Sequence, residues 1–242
     1  MSMDTNEPSR RTRVRFAVAG LALVAVLSGC SATTQVKPEA TGTCPFLGPS
    51  ICAMLTPGAK GEANMRYINT SVVWKQYSKV LIDPVTFWGG DTTKVSTADQ
   101  QALTNYLYQS LQKQLATKFQ IVDQPGPGVM RIQVALIDAE TATPVLRTVS
   151  MLIPQARVLA TLKYIATDTY PFVGGARAEA KVTDAVNGTL LSAGDDQRVG
   201  GGSMATAATW QWGDAERVAD KWTEMITTRL SSLTSGTAPA SN

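Results

Sequence analysis

The sequence predicts an α/β protein of the α+β kind: a single domain with a mixed, mostly antiparallel sheet and two long helices packed on one face. Three observations lead there. Apolar and polar residues alternate through 130–138 and again through 176–183, the pattern of strands with one face against a core. Apolar residues at three- and four-residue spacing occupy two longer segments, one opening near Ser96 and one near Asp214. Asn187-Gly188 follows the second alternating stretch and is the best short hairpin signal in the chain, so that strand turns back antiparallel.

The amino-terminal stretch precedes the domain and has its own logic. Arg10, Arg11, Arg13 and Arg15 stand before FAVAGLALVAVL at 16–27. That apolar run is short for a spanning helix, which needs roughly 20 residues, and suits the apolar region of a secretory signal. The positive charge in front of it orients the segment with its start on the cytoplasmic side. Leu27-Ser28-Gly29-Cys30 then resembles the lipobox of bacterial lipoproteins. The resemblance implies cleavage between Gly29 and Cys30, with residues 1–29 the signal, and diacylglycerol plus an N-acyl chain on Cys30. Two or more chains meet the requirement for stable anchoring. The alternative is an ordinary signal peptide with an incidental cysteine. Arg10-Arg11 hints at twin-arginine export, but Arg13 stands where that motif wants an apolar residue. Ser31, and not Asp, follows the anchor; by resemblance to enterobacterial lipoproteins this points to the outer membrane, facing the periplasm, with the inner membrane or cell surface as alternatives.

Residues 30–43 are small, polar and proline-interrupted and read as a flexible tether; the domain is expected over 44–233 and a disordered tail over 234–242. The chain carries 22 basic and 19 acidic residues, but the signal holds four of its arginines and only Asp4 and Glu7. The exported remainder is close to neutral and has no basic run, which excludes nucleic acid as a partner. Cys44 and Cys52 remain in CPFLGPSIC after Cys30 is lipidated. In an oxidising compartment two such thiols pair, closing a loop that contributes about 2–3 kcal/mol. The alternative is two separate thiols, one holding a metal; with no histidine in the chain, no metal and no cofactor are assigned.

The elements follow in order. Residues 79–88 (KVLIDPVTFW) read as a strand, with Pro84 marking an edge or a bulge because it lacks a ladder donor. A helix opens with a capping box, either Ser96 with Asp99 or Thr97 with Gln100, and Leu103, Tyr106, Leu107, Leu111 and Leu115 form its apolar face. Residues 119–123 are a short strand, and Pro125-Gly126-Pro127-Gly128 a turn. In the next strand Ile132, Val134 and Leu136 face one way. Residues 143–169 are the least regular; Val158, Leu159, Leu162 and Ile165 fit a short amphipathic helix with Arg157 and Lys163 among them, either a crossover over the sheet edge or a contact surface for membrane or partner. In 176–183 an alanine face (Ala176, Ala178, Ala180, with Val182) leaves room for a helix to approach closely, while Arg177, Glu179, Lys181 and Thr183 face out. The hairpin returns through 189–192. The last helix takes Asp214 as its N-cap and buries Val218, Trp222, Met225 and Leu230.

The absence of histidine excludes Ser-His-Asp and Cys-His catalysis and imidazole zinc sites. No GxxxxGK[ST], SxxK or EF-hand loop occurs. The acidic pairs are Asp138 with Glu140, Asp195 with Asp196, and Asp214 with Glu216; a strand end, a turn and a helix start account for them without chemistry, so no catalytic residue is assigned. Trp74, Trp88, Trp210 and Trp212 are candidate platforms for glycan or lipid, with Gly200-Gly201-Gly202 as a candidate mobile loop, although tryptophans at such places also fill cores; Trp222 is set aside as a core residue.

Several landmarks together resemble a known family: Phe46-Leu47, Thr56-Pro57-Gly58, Tyr77 before Ile82-Asp83-Pro84-Val85, the Pro-Gly-Pro-Gly turn, Asp184 before Asn187-Gly188, and Asp195 through Arg198 to Gly200. Their order and spacing resemble the bacterial lipoproteins grouped as domain of unknown function 3313, over roughly residues 46–233. The resemblance implies a lipid-anchored envelope protein and supplies no catalytic residue. The function expected is a non-enzymatic binding or envelope-assembly module with an envelope protein as partner. A glycan- or lipid-binding protein, or a carboxylate enzyme acting on cell-wall glycan, are the alternatives.

Overall fold

The computed structural model describes residues 33–36, 43–90, 93–140, 174–200 and 212–237. The chain divides into two units, Met1–Cys30 and Ser31–Asn242, and all described residues belong to the second. In chain order they form β1 (Thr34–Gln35), α1 (Gly48–Cys52), β2 (Thr56–Pro57), β3 (Met65–Ile68), β4 (Lys79–Ile82), β5 (Thr86–Phe87), α2 (Thr97–Leu115), β6 (Gln120–Val122), β7 (Val129–Glu140), β8 (Gly175–Asp184), β9 (Leu190–Val199) and α3 (Gly213–Ser235). A short 3-10 turn, Trp74–Gln76, precedes β4. The strands make one mixed sheet in the order β2-β3-β9-β8-β7-β4-β6, with β1 on β9 and β5 on β7.

The antiparallel trunk is β7-β8-β9, where Val134 faces Ala180 and Ala180 faces Gly194. β3 and β1 both lie antiparallel along β9. So part of the stretch read as a tether is tied to the sheet. The other edge is parallel: β4 runs beside β7, and β6 beside β4. Parallel neighbours need a long crossover, and α2 is that crossover between β4 and β6. The strand expected over 79–88 is two strands, both aligned on β7. Asp83-Pro84-Val85 separates them, where proline has no N–H for the ladder. Asp83 accepts from Arg131 Nε at 3.0 Å and Gln133 Nε2 at 2.8 Å, which holds the break in place.

Of the two capping boxes, Ser96 with Asp99 forms: the Ser96 hydroxyl oxygen accepts from the Asp99 N–H. Leu103, Leu107, Leu111 and Leu115 are buried, as their spacing requires. They share one core with Val218, Trp222 and Leu230 of α3 and with Ile132, Val134 and Val182 of the sheet, so both long helices cover the same face. Tyr106 joins them, donating to Asp220 of α3 at 3.0 Å; burial and the Asp220 carboxylate hold its hydroxyl above the ordinary tyrosine value. Asp214 is not the N-cap of α3. Trp212 holds that place, and Asp214 sits buried in the first turn, where its carboxylate meets the positive end of the helix and accepts from the Gly174 N–H at 3.2 Å. α3 runs two residues past the expected limit of the domain and ends at Gly236, whose φ of 74° closes the helix in the left-handed region.

β9 extends well beyond the return strand expected at 189–192, so Asp195 and Asp196 lie within a strand and not in a turn. Neighbouring residues of a strand point to opposite faces. The face of β8 carrying Arg177, Glu179 and Lys181 is an outer surface only in part, with Arg177 and Lys181 half-exposed and Glu179 buried. The Cys44–Cys52 disulfide loop covers part of it, with Cys44, Leu47, Leu55 and Ala193 forming a second small core. Beneath it Glu179 is 0% exposed.

The β8–β9 hairpin turns at Asn187-Gly188, with Gly188 at φ 74°. Asp184 organises the turn: Oδ1 accepts from the N–H groups of Val186 and Asn187 at 2.8 and 3.0 Å, and Oδ2 from the Tyr77 hydroxyl at 2.9 Å. Burial pushes the Asp184 carboxyl up, but those three donors outweigh it and hold it below the usual value. Burial, with the same contact, lifts the Tyr77 hydroxyl to about 12. A carboxyl lowered on folding stabilises above the unfolded carboxyl range, and that contribution is lost as pH falls through the folded value. Asp184→Ala is therefore expected to cost about 1–3 kcal/mol at neutral pH, with the gap to the parent closing in acid. Urea unfolding at a series of pH values checks this; a gap independent of pH would contradict it.

Candidate functional site

The alanine face of β8 was expected to let a helix approach. Ala176 and Ala178 share the main core with Ala215 and Ala219 of α3, and the small side chains also leave a cleft of about 370 Å³ between α3 and the sheet. Its floor is Ala178 and Ala180 of β8 with Ser192 and Gly194 of β9; Met225 and Ile226 of α3 face it from above. The lining is mainly apolar. Two polar clusters hold the helix over this gap.

The first is Asp196, 4% exposed. Its Oδ2 accepts from Trp222 Nε1 at 2.8 Å and pairs with Arg198. Its Oδ1 accepts from the Asn64 N–H at 2.8 Å and from Gln35 Nε2 at 2.7 Å. One carboxylate thus joins β1, the start of β3, β9 and α3. The second cluster is Glu62, which pairs with Arg66 of β3 and with Arg229 of α3, the latter at 3.2 Å. Lys60, Lys221 and Glu224 stand at the mouth, with Lys221 and Glu224 paired at 2.9 Å.

On the opposite face, Glu179 Oε2 accepts from the N–H groups of Phe46 and Leu47 at 3.0 and 2.9 Å, and Arg177 lies 3.6 Å from Oε1. Asp195 takes both forks of Arg177, Nε and Nη2, at 2.9 Å. Burial pushes the Glu179 carboxyl up and Asp195 adds to this, against the downward pull of the two N–H groups and Arg177. Cys44, Glu179 and Asp195 bring ligand-type atoms within 4.8 Å of one another. They do not suit a metal: the sulfur is consumed in the disulfide and both carboxylates already have donors. Asp195 and Asp196 face opposite sides of the sheet, so they cannot act together on one substrate.

The predicted site residues fall as follows. Cys44 and Cys52 are bonded, with Cα atoms 5.7 Å apart. Trp74 is buried against Tyr77 and donates to the Asn69 carbonyl at 2.9 Å. Trp212 is buried at the head of α3. Trp88 is 46% exposed and meets Phe46 edge-on at 5.6 Å, and Lys181 sits over the Phe46 ring. None of these three lines the cleft. Gly29, Cys30, Arg157, Lys163 and Trp210 lie outside the described residues, as do Gly201, Gly202 and residues 143–169. Trp222, set aside as a core residue, is in the main core and also lines the cleft. Sequence reasoning also passed over Glu62, Arg66 and Arg229, because nothing in their local spacing shows that two guanidinium groups will share one carboxylate. Among the described residues no helix is long and apolar enough to cross a membrane.

Among curated proteins, none matches the sequence. Several solved structures are distantly similar, and the ones named next each cover 70% of this chain. The PelC dodecamer from Paraburkholderia phytofirmans has 10% identity and a TM-score of 0.34, with 94% of that chain covered. A DUF330 protein from Xanthomonas campestris has 12% identity and a TM-score of 0.34, with 88% covered. A neuraminyllactose-binding hemagglutinin homologue from Helicobacter pylori has 12% identity and a TM-score of 0.32, with 90% covered. Likenesses this slight carry no functional argument. The family model described as "Protein of unknown function (DUF3313)" matches residues 45–226, which takes in most of both cores, the cleft floor and most of the helix above it, and the chain belongs to that family.

Proposed function

We propose that this chain is a lipid-anchored protein of the bacterial envelope, facing the periplasm from the outer membrane, that works as a non-enzymatic binding module. The observation that carries the binding reading is the apolar cleft beneath α3. Ligand sites are concave, mostly apolar and bordered by a few placed polar groups. This one has Asp196 and the Glu62–Arg66–Arg229 cluster at its edges. A chain without histidine, whose adjacent carboxylates point to opposite faces, supports binding rather than turnover.

Two measurements test the two halves of this reading. Intact mass of the exported protein is expected to show a fatty-acid increment on a chain beginning at Cys30, and Cys30→Ala is expected to lose both the increment and the membrane fraction. A wild-type product without the increment would end the anchor reading. For the cleft, the neutral dye Nile red is expected to bind the Ser31–Asn242 unit saturably at one site, and Ala180→Phe, which fills the floor, is expected to remove that site. No saturable binding by the parent would end the cleft reading.

A further inference from the structure

β1 occupies an edge of β9 that β3 leaves open. β8 lies along one side of β9 from Thr183 to Gly175. On the other side β3 pairs from Ile68, opposite Ser192, to Met65, opposite Asp195; β1 follows, with Gln35 opposite Arg198 and Thr34 opposite Val199. Directly paired residues put their side chains on one face, so Gln35 lies beside Arg198. The two side chains reach the same acceptors. Arg198 pairs with Asp196 and donates to the Glu62 carbonyl at 3.2 Å, while Gln35 Nε2 donates to Asp196 Oδ1 at 2.7 Å and to the Glu62 carbonyl at 2.9 Å. Next along β1, the Val36 N–H donates to the Gln197 carbonyl at 2.9 Å, and the Val36 carbonyl accepts from Asn64 Nδ2 at 2.7 Å. Glu62 and Asp196 line the cleft, and their carboxylates hold Arg229 and Trp222 of α3.

From these contacts we infer that β1 is a strap coupled to the cleft: docked, it keeps the Asp196–Arg198 pair dry and the cleft wall in its binding shape; released, it admits water to the pair and weakens binding. This rests on the cleft being a binding site. A charge pair is stronger where water is excluded, and both Asp196 and Arg198 are buried with β1 in place. The strap itself is half-buried and pairs through only two residues of β9, so its release is a local opening far short of unfolding. β1 begins four residues after Cys30 in the sequence. A pull on the amino-terminal end therefore acts on this strap before any other described element. Coupling between two sites is reciprocal, so an occupied cleft favours the docked strap by the factor by which the docked strap favours occupancy.

The test measures the coupling in both directions on the Ser31–Asn242 unit. Gln35→Ala with Val36→Pro removes the shared side-chain bonds and the ladder N–H, and so releases the strap. The dissociation constant of Nile red is expected to rise about fivefold or more, with binding still saturable at one site. The reverse direction needs no variant: saturating Nile red is expected to slow hydrogen exchange at the Val36 amide of the parent by the same factor. A merely structural strap would lower stability without that response, and should the variant fail to fold, the exchange measurement on the parent decides alone. An unchanged dissociation constant in the folded variant, or Val36 exchange indifferent to the dye, overturns the inference and leaves the cleft reading standing. A parent with no saturable site for the dye ends both.

Discussion

Asp196→Ala is expected to lower the unfolding free energy by about 3–5 kcal/mol, the range for breaking a buried charge pair from one side. The reason is the number of groups that converge on one carboxylate. Arg198 is 5% exposed and would keep its charge with its partner gone. Trp222 Nε1, the Asn64 N–H and Gln35 Nε2 would each lose an acceptor. Because these donors sit on four different segments, the loss also loosens α3 over the cleft and β1 at the sheet edge. Asp196→Asn keeps an acceptor of the same shape and is expected to cost less than the alanine variant. Urea denaturation measures both. A shift in midpoint with unchanged slope is the expected form, because the damage is to native contacts and not to the denatured chain. A loss below about 1 kcal/mol for alanine would mean that Arg198 finds water readily, and the account of Asp196 as the junction would be wrong.

The second large effect is at Glu179. Glu179→Leu should cost about 3–5 kcal/mol, because the Phe46 and Leu47 N–H groups lose their acceptor and Arg177 loses a carboxylate partner. The disulfide loop would then be held by its covalent closure and the small core of Leu47, Leu55 and Ala193. Glu179→Gln separates hydrogen bonding from charge. Burial raises the folded carboxyl above its unfolded value. Over the window that begins at the unfolded carboxyl range and ends at the folded value, the unfolded chain has released a proton that the native protein keeps. The wild type therefore loses stability as pH rises through that window, and is level above it. Glutamine keeps an acceptor for the two N–H groups and removes the titration, so its stability should not fall there. Unfolding curves from about pH 4 to 8 on both proteins decide this; parallel curves would show that Glu179 does not titrate differently on folding.

These two residues also mark where local pattern stops informing. The Ser96 cap, the leucine stripe of α2, the alternation of β7 and the Asn187-Gly188 turn were all readable, because each rests on contacts a few residues apart or on the fixed periods of helix and strand. The disulfide was readable from the spacing and from the compartment the sequence leads one to expect, and family membership from ordered landmarks. Glu179, by contrast, occupies an alternation that looks like a solvent face. A loop that begins at Cys44 returns to cover it, and no property of 176–183 announces that. The pair at 195–196 looked like a turn because two adjacent aspartates are costly in a strand unless each finds cations or N–H donors; here Arg177 on one face and Arg198, Trp222 and Asn64 on the other supply them. Trp222 was correctly placed on the inward face of its helix, but whether an inward ring meets packed core or borders a cavity depends on what lies opposite. Opposite it lie Ala178, Ala180, Ser192 and Gly194, from two strands whose register is set by a hairpin.

By itself, then, the sequence determined the helices, most of the strands, the closed cysteine loop and the expectation of an anchored end, since short-range sterics, hydrogen bonding and periodicity decide those. Only the tertiary structure decided that β4 and β6 add in parallel, that the disulfide loop covers part of the second face of the sheet, and that small residues on β8 and β9 leave a cleft under α3. Those outcomes depend on which segments, distant in the chain, come to share one carboxylate or one patch of floor, and no local pattern carries that information.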